Sequence, residues 1–428
     1  MREDLLHYIW RYSLYDTGSL YTTTGEAVQI IRSGQHNTDA GADFTNARIR
    51  IGEALLAGNV EIHIHQRDWY THGHERDAAY NNVILHVVYD TDTKPTLLQN
   101  GQQVAVLSLK DHISPTLLQR YELLKGGLDK VPCAGLIRSL PAGTSFTAFF
   151  ERLVIERLQA KVAVIEAMLH KSHNDWDQVA FQMIAMYYGG TVNKQPFQRL
   201  AASLPLTVIH KHRASPVQVE ALLFGQAGML EADHDEEYPR SLKREYTYLR
   251  KLHGLQPLAL HEWKFFRVRP AGFPTVKIAQ LAALLVREPH LFSGILASGD
   301  MRALHHFFEV EIHPYWHDHY QFDKPTGRGS ARIGHMLTDI VVINAVVPLL
   351  FSYGRYKDDE KICQRALDML AEAGAEDNAI IRMWEELGIQ ARTANDTQAL
   401  LQLRNEYCLN GRCLQCQIGH QLLNATHD

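Results

Sequence analysis

The sequence predicts an α+β protein: an N-terminal α/β domain with a mixed sheet, followed by a large all-helical domain. Three observations predict it. Up to about residue 140, apolar residues recur at every second position, as in AVQIIRS (27–33) and GNVEIHIH (58–65), which is the period of strands. Beyond that point they recur with the period of helices, as in SFTAFFERLVIERLQAKVAVIEAMLH (145–170). The last stretch, EYCLNGRCLQCQIGHQLL (406–423), changes character again and holds three of the five cysteines. The predicted divisions are therefore residues 1–140, 141–405, and a Cys-rich segment, 406–428, that packs back on the N-terminal part.

Taken in order, EDLLHYIWRYSLY (3–15) reads as a short amphipathic helix and AVQIIRS as a strand. GQHNTDAGAD (34–43) is turn-like, rich in Gly, Asn and Asp. TNARIRIGE (45–53) and GNVEIHIH follow as the arms of a hairpin, RDWYTHGH (67–74) as a loop, and ERDAAYNN (75–82) as a short helix. VILHVVYD (83–90) reads as a buried strand, and LLQNGQQVAVLSL (97–109) as a hairpin turning at Asn100-Gly101. In the helical part, Phe149, Leu153, Leu158, Val162, Ile165 and Leu169 form one apolar stripe along the helix predicted over 145–170. Further helices are predicted at 174–188, 194–203, 215–228, 239–253, 275–286, 301–308, 331–351, 358–373, 377–387 and 396–406. HEWKFFRVRPAGFPT (261–275) is the main irregular stretch.

With 46% hydrophobic and 21% charged residues, the chain has the composition of a globular protein with a substantial core. A net charge of -5 does not mark a strongly basic nucleic-acid binder, although local patches remain open to one. The N-terminus lacks the pattern of a signal peptide, and the apolar run IVVINAVVPLLF (340–351) is too short to span a bilayer and holds Asn344 and Pro348. The expectation is a cytoplasmic protein with no membrane partner. Five cysteines in 428 residues do not make a disulfide framework.

Histidine is the unusual component. Of 24 histidines, five (His63, His65, His72, His74 and His86) fall between residues 59 and 86. On a strand, Glu61, His63 and His65 share one face, opposite Val60, Ile62 and Ile64. One reading is a solvated polar face. The other is a site: Asp43, at the start of one strand, and Glu61, on the next, form a hard-oxygen pair suited to Mg²⁺ or Mn²⁺. Such an ion orients water and stabilises charge on a phosphate. His74, Asp77 and Asn81, spaced i, i+3, i+7, share a face if a helix starts early enough, and with His65 and His72 they are the expected supporting residues. His86, inside VILHVV, reads as a satisfied core histidine.

The order helix, three strands, short helix, strand, with Asp43, Glu61 and His63 placed as described, resembles the PD-(D/E)xK restriction-endonuclease-like nucleases. The resemblance covers roughly residues 1–110. It implies an α-β-β-β-α-β core in which Asp43 and Glu61 hold the metal and His63 stands where that superfamily has Lys. It also implies a Glu on the first helix, for which Glu3 is the candidate. Ala42 replaces the usual Pro. The run N-x3-G-x-D-F-x-x-A-x-I-x-I (37–51), then G-N-V-E-I-H and D-W-x-x-H-x-H-x-x-D-x-x-Y-N-x-V-I-L-H-V-V, is similar to an uncharacterised bacterial family, domain-of-unknown-function family 2851. F-F-R-V-R-P-x-x-F-P and Y-C-x4-C-x-x-C-x-I-G extend that likeness over nearly the whole chain, without implying an activity.

Cys408, Cys413 and Cys416 form C-x4-C-x2-C, with spacing that lets thiolates converge on one metal. The fourth ligand is open between His420 and Cys133, and the metal between zinc and an iron–sulfur cluster. Some nucleases of the resembled superfamily carry such a cluster on one upstream Cys and three near the C-terminus. Buried or incidental free thiols are the competing reading. Cys363 reads as core.

Lys264, Arg267 and Arg269, interleaved with Phe265 and Phe266, are the candidate contacts to DNA or RNA. The competing reading has the aromatics in the helical core. Arg328 and Arg332 in KPTGRGSARIG (324–334) could add phosphate contacts, but that stretch lacks the ending of a P-loop. The sequence thus favours a metal-dependent nuclease. Two rivals stand beside it: an inactive nucleic-acid-binding or scaffold protein of the same fold, and a His-rich metalloenzyme acting on a small molecule.

Overall fold

The computed structural model describes residues 1–126, 131–140, 145–266, 268–326 and 334–424; Arg267, Arg328 and Arg332 lie outside the described residues. The chain forms two compact units, Met1–Phe146 with Leu403–Asp428, and Thr147–Gln402.

The first unit is α/β. Helix α1 (Glu3–Arg11) has acids in its first turn and Arg11 in its last, matching the helix dipole, and it buries Leu5, Leu6, Tyr8, Ile9 and Trp10. The strands are β1 (Val28–Arg32), β2 (Gln35–His36), β3 (Phe44–Ile51), β4 (Ala54–His65), β5 (Val83–Asp90), β6 (Thr96–Leu97) and β7 (Gln103–Ser108). They make one sheet in the order β1-β3-β4-β5-β7-β6, with β2 paired to β3. β1, β3 and β4 run antiparallel, while β4–β5 and β5–β7 are parallel. The sheet is mixed, as the sequence predicts.

Two local features aim β3 and β4. The β3–β4 register slips between Phe44 and Ala47, where Asn46 takes a φ of 57°. A bulge of this kind turns the side chains that flank it. At Gly58 an added Cβ would lie 2.5 Å from Ile84 Cγ2 and 2.6 Å from the Asn82 carbonyl oxygen, so only glycine lets the chain entering β5 come this close.

A parallel pair needs a crossover, and residues 66–82 supply the one between β4 and β5. Here the structure corrects the sequence reading. The stretch read as a loop contains α2 (Asp68–Thr71), and the expected helix over 75–82 is two separate 3₁₀ turns, His74–Arg76 and Ala78–Tyr80. Asp77 breaks them apart: its backbone is extended, and its carboxylate accepts from the Ala79 amide at 2.8 Å. His74, Asp77 and Asn81 therefore share no helix face. Helix α3 (Pro115–Gly126) is also additional to the sequence reading, burying Leu117, Tyr121 and Leu124 at i, i+4 and i+7. So is the short helix Gln417–Asn424.

The second unit is helical. α4 (Thr147–Lys171) buries all six residues of the predicted stripe. Helices Trp176–Tyr188, Lys194–Ser203, Pro216–Gln226, Glu237–His253, Pro274–Arg287 and Met301–Phe308 follow close to the expected positions. Leu206–His212 and Leu291–Ala297 are added. The apolar run read as too short for a bilayer belongs to a 23-residue helix, His335–Lys357, long and apolar enough by composition to cross one. Its most apolar window is 67% buried within the described structure, the behaviour of a core helix. A π-helical turn at Val342–Val346 precedes Pro348, whose ring and missing N–H disturb the regular bonding pattern.

Candidate metal centre

Glu61 and His63 alternate on β4, and both are buried, at 4% and 1% exposure. A solvated polar face is thereby excluded at these two positions. Three further imidazoles surround them. His63 Nδ1 is 2.9 Å from His86 Nε2, and His63 Nε2 is 3.1 Å from His72 Nδ1. Glu61 Oε1 lies 3.6 Å from His63 Nε2 and 3.1 Å from His74 Nε2. His74 Nε2 is buried and makes no aligned hydrogen bond. The His63, His72 and His74 rings offer ligand atoms that all lie within 4.8 Å of one another.

The outer wall comes from two other elements. Asp43, just before β3, accepts from the Ile62 amide at 2.9 Å, and its own amide donates to Glu61 Oε2 at 3.1 Å. The two carboxylates are thus interlocked across the β3–β4 pair. His7, on α1, brings Nε2 to 3.3 Å from Asp43 Oδ2, and this nitrogen too lacks an aligned hydrogen bond. Glu3 lies one turn before His7 and within electrostatic reach of His7, Asp43 and His72.

Trp69 of α2 forms an apolar wall. Its ring sits 5.4 Å from His74 and 5.2 Å from His86, and its Nε1 donates to the Leu97 carbonyl at 2.9 Å. Tyr80 stacks on His74 at 3.8 Å. His86 is satisfied in the core, as expected, yet its partners are His63 and, at 3.1 Å, Thr96 Oγ1. It therefore orients the cluster from behind.

The electrostatics follow from burial and crowding. Burial raises the Glu61 pKa; His74 opposes this, and the charge of Asp43 adds to it. Burial, then the neighbouring His74, His72 and His7, pushes His63 down to about 3. His86 falls well below the ordinary imidazole range for the same reasons. Burial pulls His7 down, but contact with Asp43 and its charge outweigh that, and the net shift is upward. Burial raises Glu3.

Other expected supporting residues lie apart. His65, at the end of β4, turns its Nδ1 to 3.5 Å from Asp90 Oδ2, because the strand ends there and Asp90 is its partner in the β5 register. Asp77 is spent capping Ala79, and Asn81 Nδ2 donates to Gln99 Oε1 at 3.1 Å. Conversely, the sequence reading passed over His7, Thr96, Trp69 and Tyr80. His7 carries a usable signal, being i+4 from Glu3 on one helix face. The others join the site through chain crossings that no local pattern encodes.

The four cysteines Cys133, Cys408, Cys413 and Cys416 line a second, small apolar hollow in the same unit. None is in a disulfide. Burial, then the nearby Cys416 and Cys413, pushes the Cys133 thiol up to about 12, and Cys408 is raised for the same kinds of reason. Cys133 and Cys416 are buried and Cys408 and Cys413 half-buried, and four thiols facing one hollow are a donor set that fits a thiophilic metal. His420 does not line this hollow: its Nδ1 is 2.7 Å from the Tyr8 hydroxyl. Among the described residues, the three imidazoles form the only set of three or more donors within 4.8 Å of one another.

In the helical unit, Lys264 and Arg269 are exposed, and Phe266 is 80% exposed. Trp263 is core, with Nε1 donating to the Ala227 carbonyl at 2.7 Å, and Phe265 packs on Phe273. The aromatics thus divide between core and surface. Cys363 lies on the helix Glu360–Glu372, its Sγ 3.7 Å from the Phe351 carbonyl.

A family model described as "Protein of unknown function (DUF2851)" matches residues 3–379. No curated protein matches the chain. No solved structure matches it either.

Proposed function

The chain belongs to the DUF2851 family, and we propose that its first unit is a metal-dependent phosphodiesterase acting on nucleic acid, of the PD-(D/E)xK kind with His63 in the usual Lys position. The observation that carries the reading is the interlocking of Asp43 and Glu61 across neighbouring strands, with His63 and His74 on the second carboxylate. The order α1, β1, β3, β4, crossover, β5 supports it, with β4 and β5 parallel. His63 Nε2 at 3.6 Å and His74 Nε2 at 3.1 Å from Glu61 Oε1 favour this reading over an inactive scaffold, which needs no imidazoles on that carboxylate.

The buried His74 Nε2, 3.1 Å from Glu61 Oε1 without an aligned hydrogen bond, fits a cation shared between the two. Imidazole beside carboxylate favours Mn²⁺ or Zn²⁺ over Mg²⁺, whose preferred donors are all oxygen. When bound, such an ion supplies Lewis acidity toward a phosphodiester and acidifies water. Glu61, His63, His72 and His74 would hold it. His63, enclosed between His86 and His72, is oriented as a ligand and does not replace an ammonium. His7, held beside Asp43, is the imidazole that can give a proton to a leaving oxygen or steady phosphate charge. In the thiol hollow, Cys133, Cys408, Cys413 and Cys416 would hold a zinc ion or an iron–sulfur cluster, stapling the C-terminal segment to residue 133.

The test compares wild type with Glu61→Gln and Asp43→Asn by elemental analysis and cleavage of labelled DNA and RNA in Mn²⁺, Zn²⁺ and Mg²⁺. Glu61→Gln should lose the metal, and Asp43→Asn should lose about 100-fold or more in turnover. Unchanged metal and turnover in both variants would refute the assignment. The imidazole triad also favours a second reading, a metalloenzyme acting on a small molecule. That reading predicts metal loss in Glu61→Gln with no nucleic acid cleaved by wild type.

A further inference from the structure

Beside the candidate centre, within the same unit, lies a cavity of about 500 Å³ that the chemistry above does not use. This is the size of a small-molecule or nucleotide site rather than of a bare phosphate ion. His7, the imidazole beside Asp43, lines it. So do four cations from separate parts of the chain: Arg2, Arg11 of α1, Lys125 of α3, and Arg412 of the loop between the clustered cysteines. Asp4 is the one acid among the lining residues, and it is engaged: its Oδ1 lies 3.6 Å from Arg2 and accepts from the Tyr121 hydroxyl at 3.3 Å. Arg11, Lys125 and Arg412 are exposed and have no carboxylate partner among the described residues. In a chain of net charge -5, three uncompensated cations around one concavity create a local positive field.

Aromatic faces accompany the cations. Tyr12 is 41% exposed, with Arg11 5.4 Å from its ring centre, and His36 is also exposed at the lining. Cations that track phosphates, alternating with planar rings on which bases stack, are the means by which proteins hold single strands without reading sequence.

We propose that this cavity binds the phosphate-bearing end of a single nucleic-acid strand, placing the next phosphodiester against His7, Asp43 and Glu61. The placement rests on the phosphodiesterase reading; the binding does not. Arg11, Lys125 and Arg412 contact successive phosphates, and Tyr12 stacks on a base.

The experiment measures binding apart from cleavage. Full-length protein in EDTA is titrated into a short 3′-labelled single-stranded oligonucleotide carrying a 5′-phosphate, and fluorescence anisotropy is followed over a range of salt. Arg11→Gln, Lys125→Gln and Arg412→Gln should each weaken binding about tenfold. The triple variant should reduce the slope of log affinity against log salt by about 2, from ~0.7 per phosphate contact on a single strand. Arg50→Gln, exposed on β3 and outside the cavity, should bind as wild type. Because the three cations are exposed, the variants should keep the wild-type circular dichroism spectrum. Wild-type affinity and salt slope in the triple variant would overturn the proposal. Equal competition by a nucleoside monophosphate would overturn the strand assignment. Oligonucleotide binding lost in the triple variant, combined with no cleavage by wild type in any metal, would leave the cavity assigned and sink the phosphodiesterase reading alone.

Discussion

Thr96→Val tests whether the metal centre is held from behind. Thr96 Oγ1 accepts from Gln66 Nε2 at 3.4 Å and lies 3.1 Å from His86 Nδ1. If Thr96 takes the proton of His86 Nδ1–H, His86 Nε2 is the acceptor for His63 Nδ1–H at 2.9 Å. His63 Nε2 is then left with a lone pair facing Glu61 and His72. This is the tautomer that would leave His63 Nε2 free to hold a metal ion. Valine matches the shape of threonine and removes the acceptor. His86 Nδ1–H then lacks a partner, the other tautomer becomes competitive, and the His63 proton moves toward the metal side. Loss of such a supporting contact typically costs 10–100-fold in metal affinity, about 1.4–2.7 kcal/mol. The assay is competition for Mn²⁺ or Zn²⁺ against a chelating indicator, with circular dichroism as the folding control. A Thr96→Val protein that folds normally and binds either metal within about twofold of wild type would refute the relay.

Two further predictions follow from other parts of the chain. Lys161, half-buried in α4 with Nζ 3.1 Å from Asn344 Oδ1, is lowered to about 7, by burial first and Arg157 second, against the pull of Glu376. Its unfolded value is higher, so the unfolded chain binds more protons between the two values and stability should rise with pH from about 7 to 10.5, by at most about 5 kcal/mol. Lys161→Met should remove that rise, read as the difference between variant and wild-type urea midpoints across the same pH range; parallel curves would contradict it. If the thiol hollow holds a metal, Cys413→Ser should lower its content, lower the melting temperature and weaken oligonucleotide binding, because residues 410–415 border the cation-lined cavity. Cys363→Ser, whose thiol lies in the helical unit, should leave metal content and binding unchanged.

Periodicity alone determined a good deal of this protein. The alternation in β4 and β5 and the apolar stripe of α4 are local properties, because burying one face of a strand or helix demands that spacing. Glu61 and His63 were legible for the same reason: alternate positions on one strand must share a face. The three-cysteine cluster was legible because its members are near neighbours in the chain. Tertiary structure decided what those residues meet. The crossover from β4 to β5 breaks at Asp77, which carries His74 onto Glu61 and leaves Asn81 beside Gln99. His7 arrives on α1, Thr96 on β6 and Cys133 from beyond α3, each across a long stretch of chain. A side chain's neighbours in its own element follow from backbone geometry. Its neighbours from other elements depend on how whole surfaces pack, and that is a property of the entire chain.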